Sequence, residues 1–290
     1  MKVILCIALL LVLASAWTNT PTMIIARIAE KDLEQNAKAS LTQALKMLEP
    51  LNEFTGADEF SFVDASAFIN AQEDAGFTLT SEWGYEYTPF FDELEEIEVE
   101  SHNKFNLLQT TGMSQATVDA SSGSRIDKTF GKSLNLRYVM NQVGKIHQPS
   151  RNINRFSSSY PKGNNFGKDQ KISIEGYKNV FDLFEDAIGQ YPKFNYPLTK
   201  TNELNTYVDQ IMTEFPKSNF KSQVADTTKS NWSKESFEIA KSMIYSSTLS
   251  SHNVGDVDEL KAAVNKQLAL AGYRLSILVQ YMMSMQKDGY

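Results

Sequence analysis

The stretch LRYVMNQVGKIHQPSR, Leu136 to Arg151, decides how this chain is read. It closes a long helix expected over 127–143, with Gly144 near the end and Pro149 preventing continuation. Asn141 and Lys145 stand four residues apart and so share one helix face. His147 reads as a buried hydrogen-bonding residue in the turn 146–149. Lys145 and Arg151 bring two positive charges to this region.

Outward from that stretch the chain reads as mainly helical. Apolar residues recur at helical spacing over 23–34 and over 41–51 until Pro50 interrupts. Shorter helices are expected over 177–188 and 204–215. A further one over 232–246 carries Phe237, Ile239, Ala240, Met243 and Ile244. The longest periodic stretch is 256–285. Strand signals are sparse, around 171–174 at most. Residues 151–170, rich in Asn, Ser, Gly and Lys, read as a long surface loop. The acidic run DELEEIEVE (92–100) reads as a solvated face, since it lacks the ligand spacing of a calcium loop.

Residues 1–16 combine Lys2, an apolar run and Ala14-Ser15-Ala16, the pattern of a secretory signal with a small-residue cleavage site. The apolar run is too short to span a bilayer, and no later segment is long and apolar enough to do so. Delivery outside the cell or into a lumen follows, with a single large domain over 17–290. The one cysteine, Cys6, lies inside the signal, so the remaining chain has neither disulfide nor thiolate ligand. Its size suffices to bury a core without cross-links. The formal net charge is −7, from 28 basic against 35 acidic residues, so a polyanion-binding surface is not the default expectation. Asn231-Trp232-Ser233 is a glycosylation sequon. No nucleophile elbow, Walker loop or dinucleotide-binding fingerprint is present. Gly163–Gly167 reads as a flexible turn.

Leu136 to Arg151 resembles the pattern L-R-F-x-x-H-x-x-G-D-x-H-Q-P-x-H of the S1/P1 nuclease family, secreted zinc enzymes that cleave single strands. The resemblance continues in order along the chain. It includes Trp17 as the residue after the signal, 23–29, Phe62-Val63-Asp64, 82–89, NVFDLFED (179–186), 232–245 and KQLALAGYRLSILV (266–279). It implies one mainly α domain of the zinc-dependent phospholipase C type, with long surface loops.

The resemblance also implies a trinuclear zinc site. There, zinc lowers the pKa of a bound water to form the attacking hydroxide and holds the phosphate. Carried over by motif, the first zinc takes the positions of Asp64, Gly84, Asn141 and Lys145. The second takes those of Arg151, Phe181 and Glu185. The third takes Trp17, Thr22 and shared Lys145. Of these, Trp17, Asp64 and Glu185 can still bind zinc, and Asp64 would be catalytic in an active enzyme. Gly84 and Phe181 offer no ligand atom, Thr22 and Asn141 are poor ligands, and Lys145 and Arg151 are cations. The family site uses five histidines, whereas this chain has three, His102, His147 and His252. His102 and His252 sit in polar Ser-His-Asn triplets and read as surface residues.

Two expectations follow. The first is a secreted monomer that has lost its zinc site and its catalysis, needs no cofactor, and has Lys145 and Arg151 as internal counter-ions for Asp64 and Glu185. In this reading Lys145 and Arg151, with Arg155 and Lys162, could hold a phosphate or a single strand, and Tyr85, Tyr87 or Tyr160 could stack bases. The second is an active endonuclease on single-stranded DNA and RNA, with zinc in a reduced or rearranged site.

Overall fold

Helix α1 (Asn19–Asp32) buries Met23, Ile24, Ile25, Ala26, Ile28 and Ala29, and between Thr20 and Ala29 only Arg27 keeps partial exposure. A helix covered on nearly every side belongs at the centre of a bundle. In this computed structural model, which describes residues 18–48, 61–92, 105–120, 128–245 and 257–284, α1 is that central element. The remaining long helices are α2 (Gln35–Lys46), α3 (Phe62–Asp74), α4 (Leu107–Ala120), α5 (Lys128–Ile146) and α7 (Thr201–Glu214). Short α6 (Val180–Glu185) and α8 (Lys221–Ala225) join them, followed by α9 (Lys229–Ile239), which continues as a π-helical segment, Ala240–Ile244. Helix α10 (Val257–Ser284) closes the order.

Helix α1 packs against α10 on one side and α3 on another, and α3 and α4 both pack on α5. The approach of α1 and α10 is close because Gly272 has no side chain. A Cβ there would lie 2.5 Å from Ile28 Cγ2 and 3.1 Å from the Ile25 carbonyl oxygen. Among the described residues, no helix is long and apolar enough to cross a membrane.

The helical expectation and its two longest members are matched, with α5 running on to Ile146 and taking Gly144 into its last turn. The helix expected over 177–188 is confined to α6, because Asn179 caps its start and positive φ at Ala187 and Ile188 ends it. Two departures have physical causes. The only paired strands among the described residues are β1 (Pro89–Phe91) and β2 (Asn154–Phe156), which run parallel, while Lys171 makes just one bridge, to Asn179. Nor is 151–170 a surface loop throughout. Ile153, Phe156, Asn164 and Phe166 are buried, and Asn164 substitutes for missing ladder bonds by donating to Gln170 and Tyr245 and accepting from the Arg155 amide. The signal at 1–16, Trp17, His102, His252 and most of the acidic run lie outside the described residues.

Candidate functional site

From Leu136 to Ile153 every residue is buried, polar ones included. Arg137, Asn141, Gln142, Lys145, His147, Gln148, Arg151 and Asn152 all lie inside. Buried polar groups must be paired, and buried charges must be neutralised. The partners that this one stretch recruits define the site.

Arg151 is 1% exposed and sits in a short 3-10 turn, Pro149–Asn152, just beyond α5. Its Nη2 lies 2.9 Å and its Nε 3.0 Å from Glu185 Oε1, while Nη1 donates to the Gly84 carbonyl at 3.0 Å. Gln148 braces the pair, accepting from Arg151 Nε at 2.7 Å and donating to Glu185 Oε1 at 2.6 Å. Tyr85 and Phe181 cover the guanidinium, with ring centroids 4.6 and 5.0 Å from Cζ. Half-buried Lys168 places its Nζ 4.5 and 4.8 Å from the same two rings. Burial pushes the Glu185 carboxyl up to about 7, against the pull of Arg151 and Gln148. Burial acts to lower the Arg151 pKa, but Glu185, Tyr85 and Glu73 together outweigh it and the guanidinium is held above its ordinary value.

Gly84 makes room for this arrangement. A Cβ on it would stand 2.8 Å from Arg151 Nη1, 3.1 Å from Lys145 Cδ and 3.3 Å from Lys145 Nζ. The two cationic side chains thus converge on the position where a side chain is missing. No histidine could occupy position 84 with Arg151 and Lys145 as they stand.

Lys145, 3% exposed, faces Glu73 of α3 at 3.7 Å, an ion pair rather than a hydrogen bond. Burial lowers its pKa, and Glu73 and Glu185 act against that. Of the two counter-ion pairings expected, Arg151 with Glu185 is present; Lys145 pairs with Glu73 instead of Asp64. The reason is local to α3. Ser61 caps the helix, accepting from the Asp64 amide at 3.0 Å and donating to Asp64 Oδ2 at 2.6 Å. The Leu198 amide donates to Oδ1 at 2.7 Å. Neutral donors and a helix N-terminus satisfy Asp64 without a cation.

Asn141 donates to Asn70 Oδ1 at 2.9 Å and to the Ser66 carbonyl at 3.2 Å, and Asn70 donates to Thr22 Oγ1 at 3.3 Å. Thr22, Asn141 and Asn70 therefore form a chain of amides and a hydroxyl tying α1, α3 and α5 together. Phe181 is core, stacked on Tyr85 with centroids 5.9 Å apart. Of the aromatic platforms, Tyr85 is buried against Phe166 and Phe181. Glu73 and Asn70 went unassigned in the sequence. Their signal was the spacing Ser66, Asn70, Glu73, which sets polar residues along the face of α3 that meets α5.

His147 is wholly buried, and burial with the Arg274 guanidinium pushes its pKa down to about 3. As a neutral ring it donates from Nδ1 to the Val143 carbonyl at 2.8 Å and accepts at Nε2 from Arg274 Nη1 at 3.0 Å. Arg274 also makes a two-pronged pair with Glu235, at 2.8 and 3.0 Å. His147 is thus a structural link between α5 and α10.

These residues do not fit a zinc centre. Among the described residues no three His, Cys, Asp or Glu side chains converge. Glu73 and Glu185 are already matched in charge by Lys145 and Arg151. Glu73 Oε1, Asn141 Oδ1 and Glu185 Oε2 are buried acceptors without hydrogen-bond partners. A dication using them would lie beside two buried cations, whereas a neutral water would satisfy them without that repulsion. Trp17, the remaining ligand position, is outside the described residues.

No curated protein matches the chain. A profile described as S1/P1 Nuclease matches residues 17–284, nearly the whole of it. The collinear motifs, the helical architecture and this match agree: the chain belongs to the S1/P1 nuclease family.

Proposed function

We propose that this protein is a catalytically silent member of the family, delivered to the secretory pathway, whose zinc cleft has been rebuilt as an internal ion-pair network. Family membership makes it nuclease-like and suggests nucleic-acid binding, and members are typically secreted. The observation that carries the silent reading is Arg151. It fills the space left by Gly84, neutralises Glu185 and lies against the rings of Tyr85 and Phe181. A metal activates water only where an open coordination position and enough donors exist together. Among the described residues the donors number too few, and the space holds a guanidinium and an ammonium. For Lys145 or Arg151 to reach a phosphate, Glu73 or Glu185 must first be displaced. Binding of a strand therefore falls to cations nearer the surface, such as Lys162 and Lys168.

The test is zinc content by elemental mass spectrometry on the secreted protein, together with cleavage of single-stranded DNA and RNA. Less than about one zinc in ten chains, and no cleavage even with added zinc, is the expected outcome. Stoichiometric zinc with chelator-sensitive cleavage would overturn the proposal in favour of a working endonuclease with a rearranged site.

A further inference from the structure

Away from the buried network, α9, the π-helical segment and α10 border an open cavity of about 670 Å³. Its apolar lining comes from Ile239, Met243 and Leu270. Gln267 also lines it, and this residue is 3% exposed with its Oε1 buried and unpartnered. A buried carbonyl oxygen with nothing to accept is costly and calls for a donor. The π-helical segment that carries Met243 is itself a departure from regular helix, of the kind found at functional sites. At the edge of the same cavity stands Asn231, exposed in the first turn of α9, the acceptor of the sequon Asn231-Trp232-Ser233.

We propose that Asn231 carries an N-linked glycan whose first N-acetylglucosamine unit seats in this cavity. The inference rests on the secretory delivery in the functional reading above, since the modification takes place in the lumen. The Asn231 amide nitrogen attacks the anomeric carbon of a lipid-pyrophosphate-linked oligosaccharide. A C–N bond forms, the bond to the pyrophosphate oxygen breaks, and one amide proton is lost to the transferase. One N–H remains on Nδ2, enough to keep its 2.7 Å hydrogen bond to Asp226 Oδ2. Asp226 in turn accepts from the Thr228 amide and from Trp232 Nε1 through its carbonyl, so the acceptor sits on a firmly braced turn. Trp232 and Ser233 are buried in the folded protein, with Ser233 Oγ donating to Asn152, which places the transfer before folding.

The sugar's chemistry matches the cavity. Once the Gln267 side chain turns outward, the acetamido N–H supplies the donor that its Oε1 lacks, and the methyl group suits Ile239, Met243 and Leu270. Its hydroxyls meet a rim of mixed charge, Lys234, Glu238 and Lys266, without bringing a charge of their own.

The test is secretion of the full chain, with its own signal, from insect cells. Intact mass is measured before and after peptide N-glycosidase, for wild type and Asn231→Gln. Wild type is expected to lose one glycan mass, and Asn231→Gln to carry none. Hydrogen exchange over 239–243 and 263–270 should be faster in Asn231→Gln, by about threefold or more. Gln267→Leu should keep the sugar but show the same faster exchange. Secreted protein with no sugar at Asn231 overturns the proposal while leaving the silent-nuclease reading intact, which zinc and cleavage assays judge separately. A sugar whose loss leaves exchange over these segments unchanged overturns the seating, and a chain that is never translocated overturns both.

Discussion

Replacing Arg151 by Met removes the charge but keeps much of the length that fills the space beside Gly84. Glu185, 4% exposed, then loses both nitrogen contacts near 3 Å and keeps only Gln148 as a donor. Breaking a buried pair by removing one partner costs about 3–5 kcal/mol, because the remaining charge is left in a poor solvent. The cost must depend on pH. The Glu185 carboxyl already lies near 7 in the folded protein against 4.5 as its ordinary value. An acid whose folded pKa is raised contributes stability that is fully present below its unfolded pKa and lost as pH rises through the folded one. Without Arg151 the folded value climbs further, so the deficit of Arg151→Met should be small at pH 4 and reach its full size above about pH 8. Urea denaturation of wild type, Arg151→Met, Glu185→Gln and the double variant at both pH values measures this. The double variant should recover at least about 2 kcal/mol of the single-variant loss at pH 8. Additive losses, or an Arg151→Met cost below about 1 kcal/mol at pH 8, would refute the view that Arg151 stands as the counter-ion of Glu185.

Two further outcomes are expected. His147 titrates at about 3 in the folded protein against 6.5 as its ordinary value. A group with a depressed folded pKa contributes stability present above 6.5 and lost as pH falls towards 3, so His147→Gln should show a shallower acid loss in that window by urea titration. Gly84→Ala puts a methyl group 2.8 Å from Arg151 Nη1 and 3.1 Å from Lys145 Cδ. It should cost about 1–3 kcal/mol by overpacking, read as a lower denaturation midpoint with unchanged slope.

The Arg151–Glu185 pair is legible in the sequence, because a cation and a carboxylate fall at positions that the family resemblance brings together. The pairing of Lys145 is not. It depends on whether Asp64 or Glu73, nine positions apart on α3, faces α5, and on a serine cap that satisfies Asp64 first. Long helices such as α5 and α10 show in the sequence through local periodicity. Strands β1 and β2 do not, since three residues carry too little pattern and the partner lies some sixty positions away. The interior of 151–170 is hidden for a related reason. Asn154 and Asn164 make its polar composition look like surface, yet their side chains accept from backbone amides inside the protein. The cleft itself shows mainly as missing histidines, whereas what replaced them rests on contacts between segments distant in sequence.

The close crossing of α1 and α10 at Gly272 has a consequence for how the chain is made. Helix α1, the first helix among the described residues, finds one of its principal packing partners near the other end of the chain. Ile28 therefore stays without that cover until translation is nearly finished, and the loop closed by the crossing spans most of the chain. This crossing, unlike the packing of α1 on α3, can form only late in synthesis. Any early stop before Val257 would release a chain whose central helix has lost that partner, a natural substrate for chaperones and proteases.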